Sequence, residues 1–170
     1  MINPKVNIGS DELLRCTNMK VLELMNPKVF TVGPKTPMRE VLQLMLRYHL
    51  NGILVVDSDQ KLEGVVTYSD LSRKLLPTQK ELMEHEEYLT TPQLMEDRFS
   101  DIANVPVGDI MTRNVITASP ELEVLKAGAT MIAHRIKQLP VVKNHKVVGV
   151  ISHTDIGWGL MMQYPECMKG

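Results

Sequence analysis

The sequence predicts an α+β protein: two pseudo-symmetric β-α-β-β-α repeats packed face to face, joined by a helical connector. Three observations predict it. The first is duplication. One constant offset carries Val21, Met25, Val29, Thr31, Pro34, Met45 and Val55-Val56 onto Val107, Met111, Val115, Thr117, Pro120, Met131 and Val141-Val142. After a one-residue gap in the second copy, Lys61, Gly64, Val65 and Asp70 fall on Lys146, Gly149, Val150 and Asp155. Two copies of a long period make a pseudo-symmetric pair rather than a solenoid. The second is the order of hydrophobic patterns inside each copy. The third is size: a unit of about 50 residues buries too little surface alone, and packing two together answers that.

Each copy opens on a short amphipathic turn, around Leu22–Met25 or Ile110-Met111. A β-rich stretch follows, Val29–Val32 or Val115–Thr117. The next element is a helix. In the first copy Thr36 is the expected N-cap, with Pro37 at the first helical position, where its missing N–H costs nothing. Val41, Leu42, Met45, Leu46 and Tyr48 give the three-to-four spacing of a buried stripe. The second stripe is Val124, Leu125, Gly128, Met131 and Ile132, with Gly128 expected at a close helix–helix approach. Two strands come next, Ile53–Val56 then Leu62–Thr67, and Pro140–Val142 then Val147–Ser152. The polar turns Asp57–Gln60 and Lys143–His145 make each pair a hairpin. A second helix starts at Asp70-Leu71 or Asp155-Ile156.

The expected organisation is an extension at 1–20, partly helical, a first repeat at 21–77, an acidic connector at 78–104, a second repeat at 105–157 and a tail at 158–170. The connector reads as two helices, roughly 78–88 and 92–103, the second with a stripe of Leu94, Met95, Phe99 and Ile102. It is either a solvated docking helix or an acidic face for a partner. Ser10–Cys16 and Trp158–Gln163 are expected to be helical. The flanks are too short for an effector domain, so any output is expected to pass to another chain.

Composition bounds function. Apolar content of 44% and charged content of 23% are those of a packed globular protein. A formal net charge of −1 provides no global field toward nucleic acid or an anionic membrane. No run nears the ~18 apolar residues of a membrane span, and no secretory leader is visible. Cys16 and Cys167 fit no metal or redox spacing. A reduced, cytoplasmic compartment is therefore expected, although a Cys16–Cys167 disulfide stays open. The 12 methionines read as core filling. Met45, Met131 and Trp158 exceed what one small pair can comfortably bury, which predicts a homodimer. No nucleophile elbow, phosphate loop or zinc spacing is present, so no enzyme is predicted. His85 among Glu84, Glu86 and Glu87 does not share a helix face with them, so no metal site is expected there.

The strings DIMTRNVITASP, LPVV and VVGVISHTD resemble a cystathionine-β-synthase (CBS) domain. ELMNPKVFTVGP, NGILVVD and LEGVVTYSD resemble the same domain with small departures. The resemblance covers nearly all of residues 21–156, and a tandem of this kind is called a Bateman module. It implies a regulatory sensor whose repeats pack through their sheets and leave two clefts. It implies an adenosine compound as ligand, of AMP, ADP or ATP type, or S-adenosylmethionine. Other members bind nicotinamide nucleotides or metal ions, and some bind nothing known. No cofactor is required. A ligand-free interaction module, serving dimerisation or an effector protein, is the rival.

The family's nucleotide motif stands here as Gly64–Asp70 and Gly149–Asp155. A carboxylate at Asp70 or Asp155 can accept both ribose hydroxyls. Thr67 and Ser152 lie at helix N-termini, where phosphate is favoured. The plainer reading is that these are helix caps and first-turn acids. The resemblance places Thr31 and Thr117 in the base pocket. It gives Ile53 and Leu139-Pro140 as apolar wall and backbone contacts, and Lys137 and Gln138 as phosphate contacts. Arg113 is a further cation, and His153 could couple phosphate binding to pH. The first copy has Asn51-Gly52 where the second has Lys137-Gln138. The second motif is therefore expected to serve the stronger site.

Overall fold

The computed structural model describes residues 18–84 and 92–163. The expected helix at Ser10–Cys16, the end of the first connector helix, both cysteines and His85 lie outside the described residues. The elements are α1 (Val21–Leu24), β1 (Thr31–Val32), α2 (Met38–Tyr48), β2 (Gly52–Val56), β3 (Leu62–Thr67), α3 (Tyr68–Leu75), α4 (Gln79–Glu84), α5 (Pro92–Ala103), a 3-10 turn (Val107–Asp109), α6 (Val124–His134), β4 (Gln138–Lys143), β5 (Lys146–Ser152) and α7 (His153–Gln163). They form two compact units. One is Phe30–Val115; the other joins residues up to Val29 to those from Ile116 onward.

In the Phe30–Val115 unit the sheet order is β1-β2-β3. β1 runs parallel to β2, with Thr31 opposite Leu54, and β2 is antiparallel to β3. Ile53, Val55 and Val66 join Val32, Met38, Val41, Leu42, Met45 and Leu71 in one core. The second unit repeats the plan around the β4–β5 hairpin. Its core gathers Val124, Ala127, Met131, Leu139, Val141, Ile151 and Ile156. The one-residue gap between the copies lies in the hairpin turns. In the first, Asp57 Oδ1 accepts from the backbone N–H of Asp59 and of Lys61, both at 2.8 Å. In the second, Asn144 and His145 both have positive φ, the backbone of a two-residue hairpin turn.

The opening segment of each copy packs in the unit of the other. Val107 and Met111 belong to the core of the first hairpin's unit, and Met19 and Val21 to that of the second. The backbone bonds are parallel in the two units. Met38 N donates to Val105 O and Val124 N to Met19 O, both at 2.9 Å. At the far end Val65 and Thr112 exchange two backbone bonds, as do Val150 and Asn26.

Several expectations are corrected. α2 begins at Met38, not Pro37, and Thr36 is no cap; the first free N–H is satisfied by Val105 O, so no side-chain cap is needed. The strand at Val29–Val32 shrinks to Thr31–Val32. Val115–Thr117 is not a strand, and only Ala118 bridges to Val141. The second helices start two residues early, at Tyr68 and His153. Leu46, Tyr48, Leu125 and Ile132 are exposed, as is Phe99 in the connector. Those positions extend the stripes past the face that packs. A methyl on Gly128 would meet Ile156 only at an ordinary 3.6 Å, so no tight approach is made there. Met45 and Met131 are wholly buried inside their own units, so of the three residues invoked for a dimer only Trp158 presents surface.

Candidate functional site

Each hairpin ends in the same local device. β3 leads into α3 through Thr67, and β5 into α7 through Ser152. A hydroxyl-bearing residue in extended conformation, followed three positions later by an acid, forms a reciprocal cap. The Asp70 Oδ2 accepts from Thr67 N at 2.8 Å and from Thr67 Oγ1 at 2.6 Å. The Asp155 Oδ2 accepts from Ser152 N at 2.7 Å and from Ser152 Oγ at 2.6 Å. The plain capping role is therefore filled by both pairs.

The second oxygens differ. Asp70 Oδ1 accepts from Thr112 Oγ1 at 3.2 Å and forms an ion pair with Arg73. Asp70 is the buried charged residue among the described ones, 6% exposed. Burial alone pushes its carboxyl up, but the two Thr67 bonds and the Arg73 guanidinium outweigh that and hold its pKa below the ordinary value. Asp155 is half-buried, and its Oδ1 meets no donor among the described residues.

Beside the Ser152–Asp155 cap the structure places Lys137, Gln138 and His153. Gln138 is opposite Ser152 across the hairpin. His153 N donates to Lys137 O at 3.1 Å, and both side chains are exposed. Ala118, next to the exposed Thr117, donates through its N–H to Pro140 O at 2.9 Å. Leu139 is wholly buried in the core, so it can offer a ligand only its backbone. Ile53 is equally sequestered in the other unit, at 1% exposure. Thr31 is on β1 beside Leu54, in that unit with Thr67 and Asp70. Arg113 is there too, grouped with Asp70 rather than Asp155, and its guanidinium donates to Gly108 O at 2.8 Å.

Sequence reasoning missed Arg73 and Thr112. Arg73 carried a local signal, since three positions from an acid on a helix is ion-pair spacing. Thr112 carried none, because it reaches Asp70 from 42 positions away. Among the described residues no group of three or more His, Cys, Asp or Glu could hold a metal ion, and no helix is long and apolar enough to cross a membrane.

The model of the CBS domain matches residues 21–77 and 107–156, and the chain belongs to that family as a pair of CBS domains. An uncharacterized protein of Methanocaldococcus jannaschii is 28% identical, over 89% of this chain and 94% of its own length. The inosine-5'-monophosphate dehydrogenase of the same organism is 27% identical over 81% of this chain, which spans only 23% of that enzyme. Among solved structures, the CBS domain of a CBS domain-containing membrane protein from Sphaerobacter thermophilus aligns with TM-score 0.68 at 25% identity, covering 87% of this chain and 91% of that one. CBSX2 in complex with AMP aligns with TM-score 0.64 at 21% identity, covering 84% and 96%. A CBS domain pair in complex with 5'-methylthioadenosine and S-adenosyl-L-methionine aligns with TM-score 0.62 at 21% identity, covering 85% and 98%.

Proposed function

We propose that this CBS pair is a regulatory module that binds an adenine nucleotide of AMP, ADP or ATP type and signals to another chain. The observation that carries the reading is the open Oδ1 of Asp155. Its partner oxygen is held rigidly by Ser152, so the carboxylate is oriented before any ligand arrives, and a ribose hydroxyl can donate to it. Lys137 and Gln138 stand beside the same cap, and a lysine there suits phosphate oxygens. Thr117, Pro140 and His153 complete the ligand's surroundings in this reading. Thr31, Ile53, Thr67, Asp70 and Arg113 belong to a weaker, second place. Support also comes from fold relatives caught with AMP, or with S-adenosyl-L-methionine and 5'-methylthioadenosine. The latter make S-adenosylmethionine the alternative ligand.

The rest of the reading is a homodimer in the cytoplasm. Exposed Leu46, Ile132 and Trp158 favour self-association. Light scattering at tens of micromolar tests this, and a monomer counts against it.

Calorimetric titration with AMP, ADP, ATP and S-adenosylmethionine tests the ligand. Asp155→Ala removes one or two charge-assisted hydrogen bonds, about 1.5–3 kcal/mol each, and should weaken binding roughly tenfold or more. If none of the four binds below millimolar, the chain is an interaction module instead.

A further inference from the structure

We infer that Arg73 and Thr112 form a latch over Asp70, so that Asp155 is the one of the two carboxylates open to a ribose. The inference rests on the reading of Asp155 above. The two caps match bond for bond at Oδ2 and differ at a single oxygen, Oδ1. On Asp155 that oxygen meets no donor among the described residues. On Asp70 it is taken by the Thr112 hydroxyl and the Arg73 guanidinium. The counterparts of these two residues in the other copy are Asn26 and Trp158. The Asn26 Oδ1 is turned to its own chain, accepting from Lys28 N at 2.9 Å. An indole in the place of Arg73 carries no charge, and Trp158 is 55% exposed.

The latch has a weak part and a firm part. The Arg73 side chain is 71% exposed, so its ion pair is screened by water and yields readily. Thr112 is pinned through its backbone, donating to Val65 O at 2.8 Å and accepting from Val65 N at 3.0 Å. This fixes the backbone from which the hydroxyl reaches Asp70, so that only a change of χ1 rotamer or a shift of the segment removes it. A ribose hydroxyl reaching Asp70 has to displace both donors of a buried carboxylate. Access to Asp70 thus depends on two donors, one of them carried on the segment that opens the second repeat, whereas Asp155 Oδ1 has neither among the described residues.

The test is calorimetry with AMP on the whole chain. Wild type should take one AMP per chain. The Arg73→Met, Thr112→Val double variant keeps the aliphatic stem and the β-branch and should take a second. Adding Asp70→Ala should abolish that second event. In the reverse transplant, Trp158→Arg with Asn26→Thr should weaken the wild-type event at least tenfold. Two AMP on the wild type, one of them lost in Asp70→Ala, overturns the latch. One AMP on both wild type and double variant overturns it too, while the Asp155 reading stands. Binding by the double variant alone removes the Asp155 reading and keeps the latch, and no binding by either overturns both. Should the double variant not fold, an unchanged AMP affinity in the transplant overturns the latch.

Discussion

Gly64 and Met111 are packed so closely that a methyl on Gly64 would lie 2.5 Å from the Met111 Sδ and 2.9 Å from the Thr112 carbonyl oxygen. The glycine six positions before Asp70 is thus required by the close approach of the neighbouring segment. The counterpart is looser: a methyl on Gly149 would lie 2.9 Å from Met25 Sδ and 3.1 Å from Asn26 O. A thioether can move, but a carbonyl paired to the hairpin cannot do so cheaply. Gly64→Ala should therefore destabilise by about 1–3 kcal/mol, and Gly149→Ala by less. Urea midpoints of the two variants measure this, and the reverse ranking would contradict the packing account.

The hairpins, the second helices and the caps were legible because their signals are local: β-branched runs, polar turns and a hydroxyl three positions before an acid. The exchange of opening segments was not legible. Ile110-Met111 opens the second repeat in the chain, and hydrophobic pattern cannot say that Met111 belongs to the core holding Met45. The reach of the helical stripes was overread for a related reason. Leu46 and Ile132 have the right spacing, but packing neighbours and not spacing decide burial. Of the candidate site, the Ser152–Asp155 cap was legible in its spacing, whereas Lys137 and Gln138 came from the resemblance alone. The occupation of Asp70 by Thr112 was not legible, since it depends on that same exchange.

Neighbouring apolar residues on α2 and α6 should behave oppositely. Met45 and Met131 are fully buried, whereas Leu46 and Ile132 are 66% and 72% exposed. Truncating either methionine to alanine leaves a cavity and should cost roughly 2–5 kcal/mol. Leu46→Ala and Ile132→Ala should stay within about 0.5 kcal/mol at low protein concentration. Denaturant unfolding of the four variants separates these classes, and a large loss in Leu46→Ala would place that side chain in an interface.

Acid should weaken the fold through two carboxylates. Glu81 accepts from Thr78 N at 2.7 Å and Thr78 Oγ1 at 2.8 Å, and it pairs with Arg98. These bonds lower its pKa from 4.5 to about 2. Asp70 is also shifted down from its ordinary 3.8. A depressed folded-state pKa means that the unfolded chain binds protons first. The contribution is present in full above the unfolded values and is lost as pH falls through the folded ones. The urea midpoint should thus be flat from neutrality to about pH 5, and should drop between pH 4.5 and about 2. Glu81→Gln should flatten the drop. A profile unchanged by that substitution would remove Glu81 from the account.

α2 and α6 both end on a residue forced into left-handed backbone, His49 at φ 53° and Arg135 at φ 54°. These are equivalent positions in the two copies, so the conformation belongs to the fold and not to either side chain. A residue with a Cβ is disfavoured there by roughly 1–2 kcal/mol, and glycine is the usual solution at such a helix end. Against this stands the greater freedom of glycine in the unfolded chain, about 0.4–1 kcal/mol. His49→Gly should consequently gain of the order of 0.5–1 kcal/mol, the difference of those two effects. That is a rise of about 1–4 °C in Tm for a chain of this size. Arg135→Gly should gain less, because it also removes a cation from the negative end of the helix dipole, worth about 0.3–1 kcal/mol. Thermal unfolding of both variants at neutral pH checks the signs and the order. A fall in Tm for His49→Gly would mean that the imidazole makes a contribution at this helix end greater than the backbone strain it sits on.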